Sequence, residues 1–412
     1  MAEDVSERKP AKIVLREMAA KAYQDAWDAK RRGEKIGWCA SNFPQEIPTT
    51  LGLKVVYPEN QAAAIAAKGA GLEMCEYAEG EMHLSNDLCA YARINLAYAQ
   101  KGKCPNGEQE MPMPDFVLCA NNICSCMQSW YSNIAKMLDI PLIMLDFPYN
   151  DEDLVDEKRT AYMRGQFDHA IRQLEEITGK KWDDNRFKQV MEYSQRTARA
   201  WLKAASFANF KPSPLNGFEL FNHMAVAVTA RGTKEAAEAF EQLAAEYEQN
   251  VRENKSTYKV PEQHRILFEG IACWPYLRAT SGPLKEAGVN VTSTVYAAAF
   301  GVIYRNTEEL MQVYYNVPNC LSLEHATKLR EDAIVAGKAD GALCHINRSC
   351  KLWSGIALEM GRRIESDMNI PVVTFDGEQA DPRNFSEEQY KTRVEGLVEI
   401  MQNKKSESER GE

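Results

Sequence analysis

Positive charge is in deficit in this sequence. The chain carries 49 Lys and Arg against 59 Asp and Glu, a net charge of −10. A nucleic-acid binder needs a basic face, so no nucleic-acid partner is expected. Long apolar runs are missing as well. The longest uncharged run, Ala287–Tyr304, is interrupted by Asn290, Thr292, Ser293 and Thr294. It reads as a buried strand followed by a helix, and no membrane span is expected. The opening MAEDVSERKPAKIVLREM is charged throughout, so it is not read as a secretory signal and a cytoplasmic location is expected. Histidine is scarce, with 6 scattered residues, and no C-x-x-C pair occurs, which argues against an ordinary zinc site. Neither a P-loop nor a G-x-G-x-x-G after a strand is present, so nucleotide hydrolysis by this chain is not expected.

Cysteine, by contrast, is plentiful. Eleven cysteines in a chain with no secretory signal argue against a disulfide framework. Most are expected to be small buried hydrophobes. The 412 residues suffice for two or three domains with real cores.

Short apolar runs alternate with helical patterns over the first third of the chain: KIGWCAS, KVVYPEN, DFVLCA and IPLIMLDFP are strands. Long amphipathic helices rich in Ala, Glu, Gln and Arg follow, broken by KPSPLNG. The alternating pattern then returns in RILFEGIACWP, VNVTSTVYAA, ADGALCHIN and IPVVTFDGE. The expected fold class is α/β, with two Rossmann-like parallel-sheet units and a helical layer between them. The expected boundaries are 1–154 for the N-terminal α/β domain, 155–257 for the helical segment and 258–412 for the C-terminal α/β domain. The tail NKKSESERGE is expected to fray.

An internal repeat relates the two units. Asp115–Pro148 and Asp340–Glu378 share an order of parts: Asp, an apolar strand with Leu-Cys, an asparagine-bearing turn, a cysteine, an amphipathic helix, and an Ile-Pro strand ending in Asp. The turn cysteines, Cys124 and Cys350, begin helices just past strand ends, at the mouth of the crevice of an open α/β sheet. Cys89, in SNDLCAYARINL, also begins a helix. Helix N-termini favour thiolates, and three such cysteines suit a [4Fe-4S] cluster with one iron open to substrate. A fourth protein ligand would instead suggest electron transfer alone. Cys119 and Cys344 lie in strands and read as core. Cys126, two helical steps from Cys124, is expected to point to the far side of its helix. Cys39, at a strand end, remains a weaker candidate.

Ser41 and Glu59 also sit at strand ends facing the same crevice. Ser41 equally fits a helix cap, and Glu59 a first-turn partner of the helix dipole.

The segments YPENQAA, DLCAYAR, MPMPDFVLCANNIC, PLNGFELFNHMA, NRSCK and FDGEQADPRNF, in this order, resemble the larger (alpha) subunit of the 2-hydroxyacyl-CoA dehydratases. The likeness runs from about residue 10 to 402 and looks closest to 2-hydroxyglutaryl-CoA dehydratase; benzoyl-CoA reductase subunits are more distant. It implies a [4Fe-4S] cluster held by Cys89, Cys124 and Cys350, with Ser41 and Glu59 in the active site. It also implies an oxygen-sensitive heterodimer with a smaller beta subunit, and a separate iron–sulfur ATPase activator that injects one electron. The implied reaction removes water from a 2-hydroxyacyl-CoA, with 2-hydroxyglutaryl-CoA the expected substrate, in the amino acid fermentation of anaerobes. One electron added to the thioester gives a ketyl radical anion, which expels the α-hydroxyl and leaves a far more acidic β-proton. Glu59 is expected to move a proton and Ser41 to donate a hydrogen bond to the thioester oxygen. An aromatic acyl-CoA reductase subunit and a non-catalytic iron–sulfur scaffold are the competing readings. The residues neither require nor exclude a flavin. The loop Lys101–Glu110 is shorter than the insertion relatives can carry, and it is expected to lie away from the site.

Overall fold

The computed structural model describes residues 9–149, 155–258 and 260–411. Residues 1–8 of the charged opening, and the expected boundary at 154, lie outside the described residues. Two four-stranded parallel sheets organise the chain. The first contains β1 (Ile36–Cys39), β2 (Lys54–Val56), β3 (Phe116–Ala120) and β4 (Leu142–Leu145), in the order β2-β1-β3-β4. The second contains β5 (His264–Glu269), β6 (Val289–Ser293), β7 (Gly341–Asn347) and β8 (Val372–Gly377), in the order β6-β5-β7-β8. Strands β1, β3 and β5 are buried at every residue, as parallel strands covered on both faces must be.

Helix α1 (Ala11–Arg31) precedes the first sheet, and α2 (Glu46–Thr50), α3 (Pro58–Ala67), α4 (Gly71–Gly80), α5 (Ala90–Lys101) and α6 (Ser125–Leu138) connect its strands. The helical layer comprises α7 (Glu157–Thr178), α8 (Asp184–Ser206), α9 (Glu219–Thr229) and α10 (Lys234–Arg252). Around the second sheet lie α11 (Leu277–Glu286), α12 (Val295–Ala298), α13 (Thr307–Tyr315), α14 (Leu323–Gly337), α15 (Lys351–Met368) and α16 (Glu387–Gly411). Among the described residues no helix is long and apolar enough to cross a membrane. Ala287–Tyr304 is strand β6 and the single turn of α12, as its polar interruptions predict.

The repeat is visible in single hydrogen bonds. Asp115 Oδ2 accepts the Ile36 N–H at 2.8 Å, and Asp340 Oδ2 accepts the Arg265 N–H at 2.8 Å, so each unit opens with the same carboxylate clamp. Helix α6 ends at Asp139 (φ 51°) and α15 at Asn369 (φ 52°), both left-handed and both followed by Ile-Pro. Each of those prolines accepts from the neighbouring strand, Pro141 from Val117 and Pro371 from Ala342, both at 2.9 Å.

Helices α8 and α10 bury their apolar faces against each other, where Trp201 and Phe240 meet edge to face at 5.3 Å. Burying each ring contributes on the order of 2–3 kcal/mol, well above the few tenths expected from the exposed Arg196–Glu241 pair nearby. Buried Glu46 ties the layers together. It accepts from Ser194 of α8 at 2.7 Å, from Tyr304 at 2.9 Å and from Tyr314 of α13 at 2.8 Å. Gly217, in PLNGFELFN, lies against β6, where a Cβ would overlap the Val291 carbonyl.

The tail does not fray as expected. Helix α16 continues through it to Gly411, and Lys404 Nζ donates to the carbonyl and the side chain of Asn369 at 3.0 Å each. A lysine can hold an exposed helix in place through the left-handed turn of another, which composition alone does not reveal.

Candidate functional site

Between the two sheets lies a cavity of about 570 Å³, ordinary for a small-molecule site. Cys89, Cys124 and Cys350 all line it, although 35 residues separate the first two and 226 the last two. Each is the residue immediately before its helix: Cys89 before α5, Cys124 before α6 and Cys350 before α15. Cys124 Sγ accepts the Met127 N–H at 3.3 Å, an N-cap bond usually made by Ser, Thr or Asp. At Cys89 and Cys350 the corresponding third-residue amides, of Ala92 and Trp353, lie beside the sulfur and draw its pKa down, without the geometry of a full cap. Burial outweighs these amides and pushes the Cys124 and Cys350 thiols up to about 12. Cys89 is pushed up first by a hydrogen bond with Cys126 and then by burial. Such thiols deprotonate when a metal supplies the compensating charge.

Cys126 is not on the far side of its helix. It lines the same cavity and shares a hydrogen bond with Cys89. The 100° helical step does not apply from Cys124, because Cys124 is extended (φ −161°, ψ 157°) and α6 begins only at Ser125. Cys119 and Cys344 are core, as expected, and Cys39 is fully buried, donating to Ala40 O at 3.4 Å.

Among the described residues no three Cys, His, Asp or Glu side chains converge closely enough to share a single ion. A four-iron cluster makes a different demand, since each thiolate takes its own iron. A wall of sulfur without histidine, backed by three helix N-termini, fits that demand in its chemistry.

Ser41 and Glu59 are brought together on the same cavity. Glu59 Oε1 accepts the Ser41 N–H at 3.0 Å, and Oε2 accepts the Tyr131 hydroxyl at 2.8 Å. Burial raises the Glu59 pKa, opposed by these donors and by its place in the first turn of α3. The carboxylate is therefore oriented, desolvated and suited to moving a proton. Ser41 caps no helix; it presents its amide to Glu59 in the turn after β1.

Sequence reasoning singled out no role for the residues that fix this wall. Gln379 Nε2 donates to Cys89 Sγ at 3.3 Å and to Ser349 Oγ at 3.1 Å. Ser349 Oγ donates to Glu378 at 2.8 Å and accepts the Ala90 N–H at 2.9 Å, so the starts of α5 and α15 are joined. The asparagines of LCANNIC fix the turn before Cys124. Asn121 bridges to Phe147 N–H at 2.8 Å and Asn122 donates to Tyr314 O at 2.6 Å. Their signal lay in the segments NRSCK, FDGEQADPRNF and LCANNIC, whose partners are remote in sequence. The short loop before β3 is also nearer the site than expected. Gln109 lines the cavity, held by Gln61 Nε2 on its carbonyl at 2.9 Å.

The cavity interior is apolar, with Phe221, Met224, Val228, Phe300 and Trp353 among its walls. Its deep cation, Arg231, has its charge facing Glu46, while its Nε–H has no hydrogen-bond partner among the described residues. It lies 3.6 Å from Glu46 and donates to the Tyr314 hydroxyl. At the outer end, exposed Arg16 of α1 places positive charge at the opening, where Lys68 beside α3 is paired with Glu108.

The sequence profile of the family described as 2-hydroxyglutaryl-CoA dehydratase, D-component, matches residues 40–401. The chain is 62% identical to the (R)-phenyllactyl-CoA dehydratase alpha subunit of Clostridium sporogenes, over 98% of both chains. It is 47% identical to (R)-2-hydroxyglutaryl-CoA dehydratase subunit alpha of Acidaminococcus fermentans, over 95% of this chain and 97% of the relative. It is also 47% identical to the (R)-2-hydroxyisocaproyl-CoA dehydratase alpha subunit of Clostridioides difficile, over 97% and 98%.

Proposed function

The chain belongs to the 2-hydroxyglutaryl-CoA dehydratase D-component family, as an alpha subunit of the 2-hydroxyacyl-CoA hydro-lyases, and from that premise we propose that it dehydrates an (R)-2-hydroxyacyl-CoA with an apolar, aryl-sized side chain to the 2-enoyl-CoA. The observation that carries this reading is the convergence of Cys89, Cys124, Cys350, Ser41 and Glu59 on one apolar cavity.

Cys89, Cys124 and Cys350 would hold a [4Fe-4S] cluster, with Gln379 and the three helix starts offsetting its negative charge. When bound, the cluster supplies a single electron and a Lewis-acid iron to the thioester. Glu59 takes the β-proton; its raised pKa favours that transfer over a permanently ionised, well-solvated carboxylate. Ser41 donates to the thioester oxygen beside it. Arg16 attracts the anionic CoA at the opening.

The side-chain preference departs from the dicarboxylic substrate that the sequence resemblance suggests. A γ-carboxylate would meet Phe221, Met224 and Phe300, and the nearby guanidinium already faces Glu46. A buried carboxylate without a free cation is costly, whereas a phenyl ring gains from the same walls.

The partners are a smaller beta subunit and an iron–sulfur ATPase activator that delivers the electron. The test is anaerobic assay of the complex with activator, ATP and a low-potential reductant, over a panel of 2-hydroxyacyl-CoAs. Enoyl-CoA is expected from phenyllactyl-CoA. Ring reduction without dehydration, or silence on the whole panel, overturns the reading.

A further inference from the structure

The internal repeat breaks off beside the sulfur wall. Aligned on Ile-Pro, Ile140–Asp146 and Ile370–Asp376 correspond residue for residue. Beyond them Phe147, Pro148 and Tyr149 stand opposite Gly377, Glu378 and Gln379. Tyr149 is 74% exposed, whereas Gln379 is fully buried and lines the cavity. The shared fold therefore does not call for a buried amide at this place.

Hydrogen bonding fixes which way that amide points. Ser349 has one hydroxyl hydrogen, and it goes to Glu378 Oε1 at 2.8 Å. Glu378 acts there as an acceptor, for Oε2 also takes the Ser349 N–H and Oε1 the Gln379 N–H, each at 2.8 Å. Ser349 Oγ accepts the Ala90 N–H at 2.9 Å, so it offers Gln379 its remaining lone pair. The Gln379 atom 3.1 Å from it is therefore the amide nitrogen. The other hydrogen of that nitrogen serves Cys89 Sγ at 3.3 Å. The backbone is held as well, since the Gln379 carbonyl accepts the Trp274 N–H at 3.0 Å. Among the described residues no other side-chain amide donates to Cys89, Cys124 or Cys350.

We infer that Gln379 tunes the reduction potential of the cluster: its N–H, aimed at Cys89 Sγ by Ser349, favours the reduced state. The inference rests on the proposed cluster at Cys89, Cys124 and Cys350. A donor on a ligating sulfur offsets the negative charge that an added electron brings, so it raises the potential. One electron passes from the iron–sulfur activator, which is oxidised, to the cluster, which is reduced. No bond forms or breaks at Gln379 and no proton moves there. The amide shifts the balance between activator and alpha subunit toward the alpha subunit.

The test is a mediated redox titration of the anaerobic two-subunit complex, followed by EPR on the signal that Cys124→Ala removes. Gln379→Met and Gln379→Leu keep most of the side-chain bulk and lose the donor. Each is expected to lower the one-electron reduction constant about tenfold, a midpoint shift of about 59 mV to more negative potential, with iron and sulfide unchanged. A shift of less than about twofold in that constant with the cluster intact, or a shift to more positive potential, overturns the inference while the dehydratase reading stands. Loss of iron in both variants overturns it too, because the amide then holds the wall together instead of tuning the cluster. A wild-type complex with no iron at these cysteines overturns the inference together with the cluster reading.

Discussion

Arg93 and Asp381, 288 residues apart, form a salt bridge of 2.9 Å with both side chains buried. Arg93 lies on α5, the helix that Cys89 begins, and Asp381 lies two residues beyond Gln379, which donates to Cys89. Arg383 and Glu79 extend the pair, with Arg383 Nη2 at 2.6 Å from Asp381. Asp381 keeps Arg383 when Arg93 is removed, and Arg93 keeps Glu79 when Asp381 is removed, so losing one partner is expected to cost about 1.5–3 kcal/mol, as for a hydrogen bond to a charged group, below the cost of a bare buried charge. Arg93→Leu and Asp381→Leu are each expected to destabilise by that amount in denaturant melts. Arg93→Leu/Asp381→Leu, which removes both charges, should recover part of it. A double variant no better than either single one would show that the pair is not what the wall depends on.

The cysteines separate by position. Cys89→Ala, Cys124→Ala and Cys350→Ala are each expected to lower the iron and sulfide of the anaerobically purified complex below a full cluster at the alpha-subunit site. Cys126→Ala shares their cavity but not their place before a helix, so its iron content is expected to match wild type. Full iron in the three, or loss in Cys126→Ala, would reassign the ligand set.

How much of this was legible follows from the range of each interaction. Cys124 and Cys350 could be read because strand, turn and helix start are local, and the repeat doubles the signal. The parallel sheets follow from the same alternation, whereas the strand orders are seen only in the structure. Arg93 and Asp381, or Ser349 and Ala90, could not be read, because their meaning lies in contacts across the whole chain. The orientation of Cys126 fails for a different reason: a helical step was counted from a residue that is extended.

Side-chain selectivity should follow the apolar chamber. With phenyllactyl-CoA and 2-hydroxyglutaryl-CoA compared under the same reductant, kcat/KM is expected to favour the aryl substrate by at least about 100-fold, since a buried unpaired carboxylate costs several kcal/mol. Phe221→Ala should narrow that ratio by reducing turnover of the aryl substrate alone. Equal kcat/KM for the two substrates would remove the argument from Arg231 and Glu46.

Glu59 should leave its mark on pH dependence. Burial raises its pKa above the ordinary 4.5, and the base must be deprotonated to act. The acid limb of kcat/KM is therefore expected above the usual carboxylate range, with activity rising as pH rises through it. Glu59→Gln is expected to lose about 10²–10⁴ in kcat and to abolish that limb. Stability runs the other way. A raised folded-state pKa means the folded protein binds this proton more tightly than the unfolded chain. The wild type therefore loses stability as pH rises from about 4.5 to the raised value, and the loss is complete above it. Glu59→Gln has no such loss, so its Tm relative to wild type should climb across that window. Because Gln keeps an oxygen for the Ser41 N–H and can reverse its bond with Tyr131, the fold is expected to survive the change. A wild-type acid limb at an ordinary carboxylate pKa, or a Tm difference that does not move with pH, would place the proton transfer elsewhere.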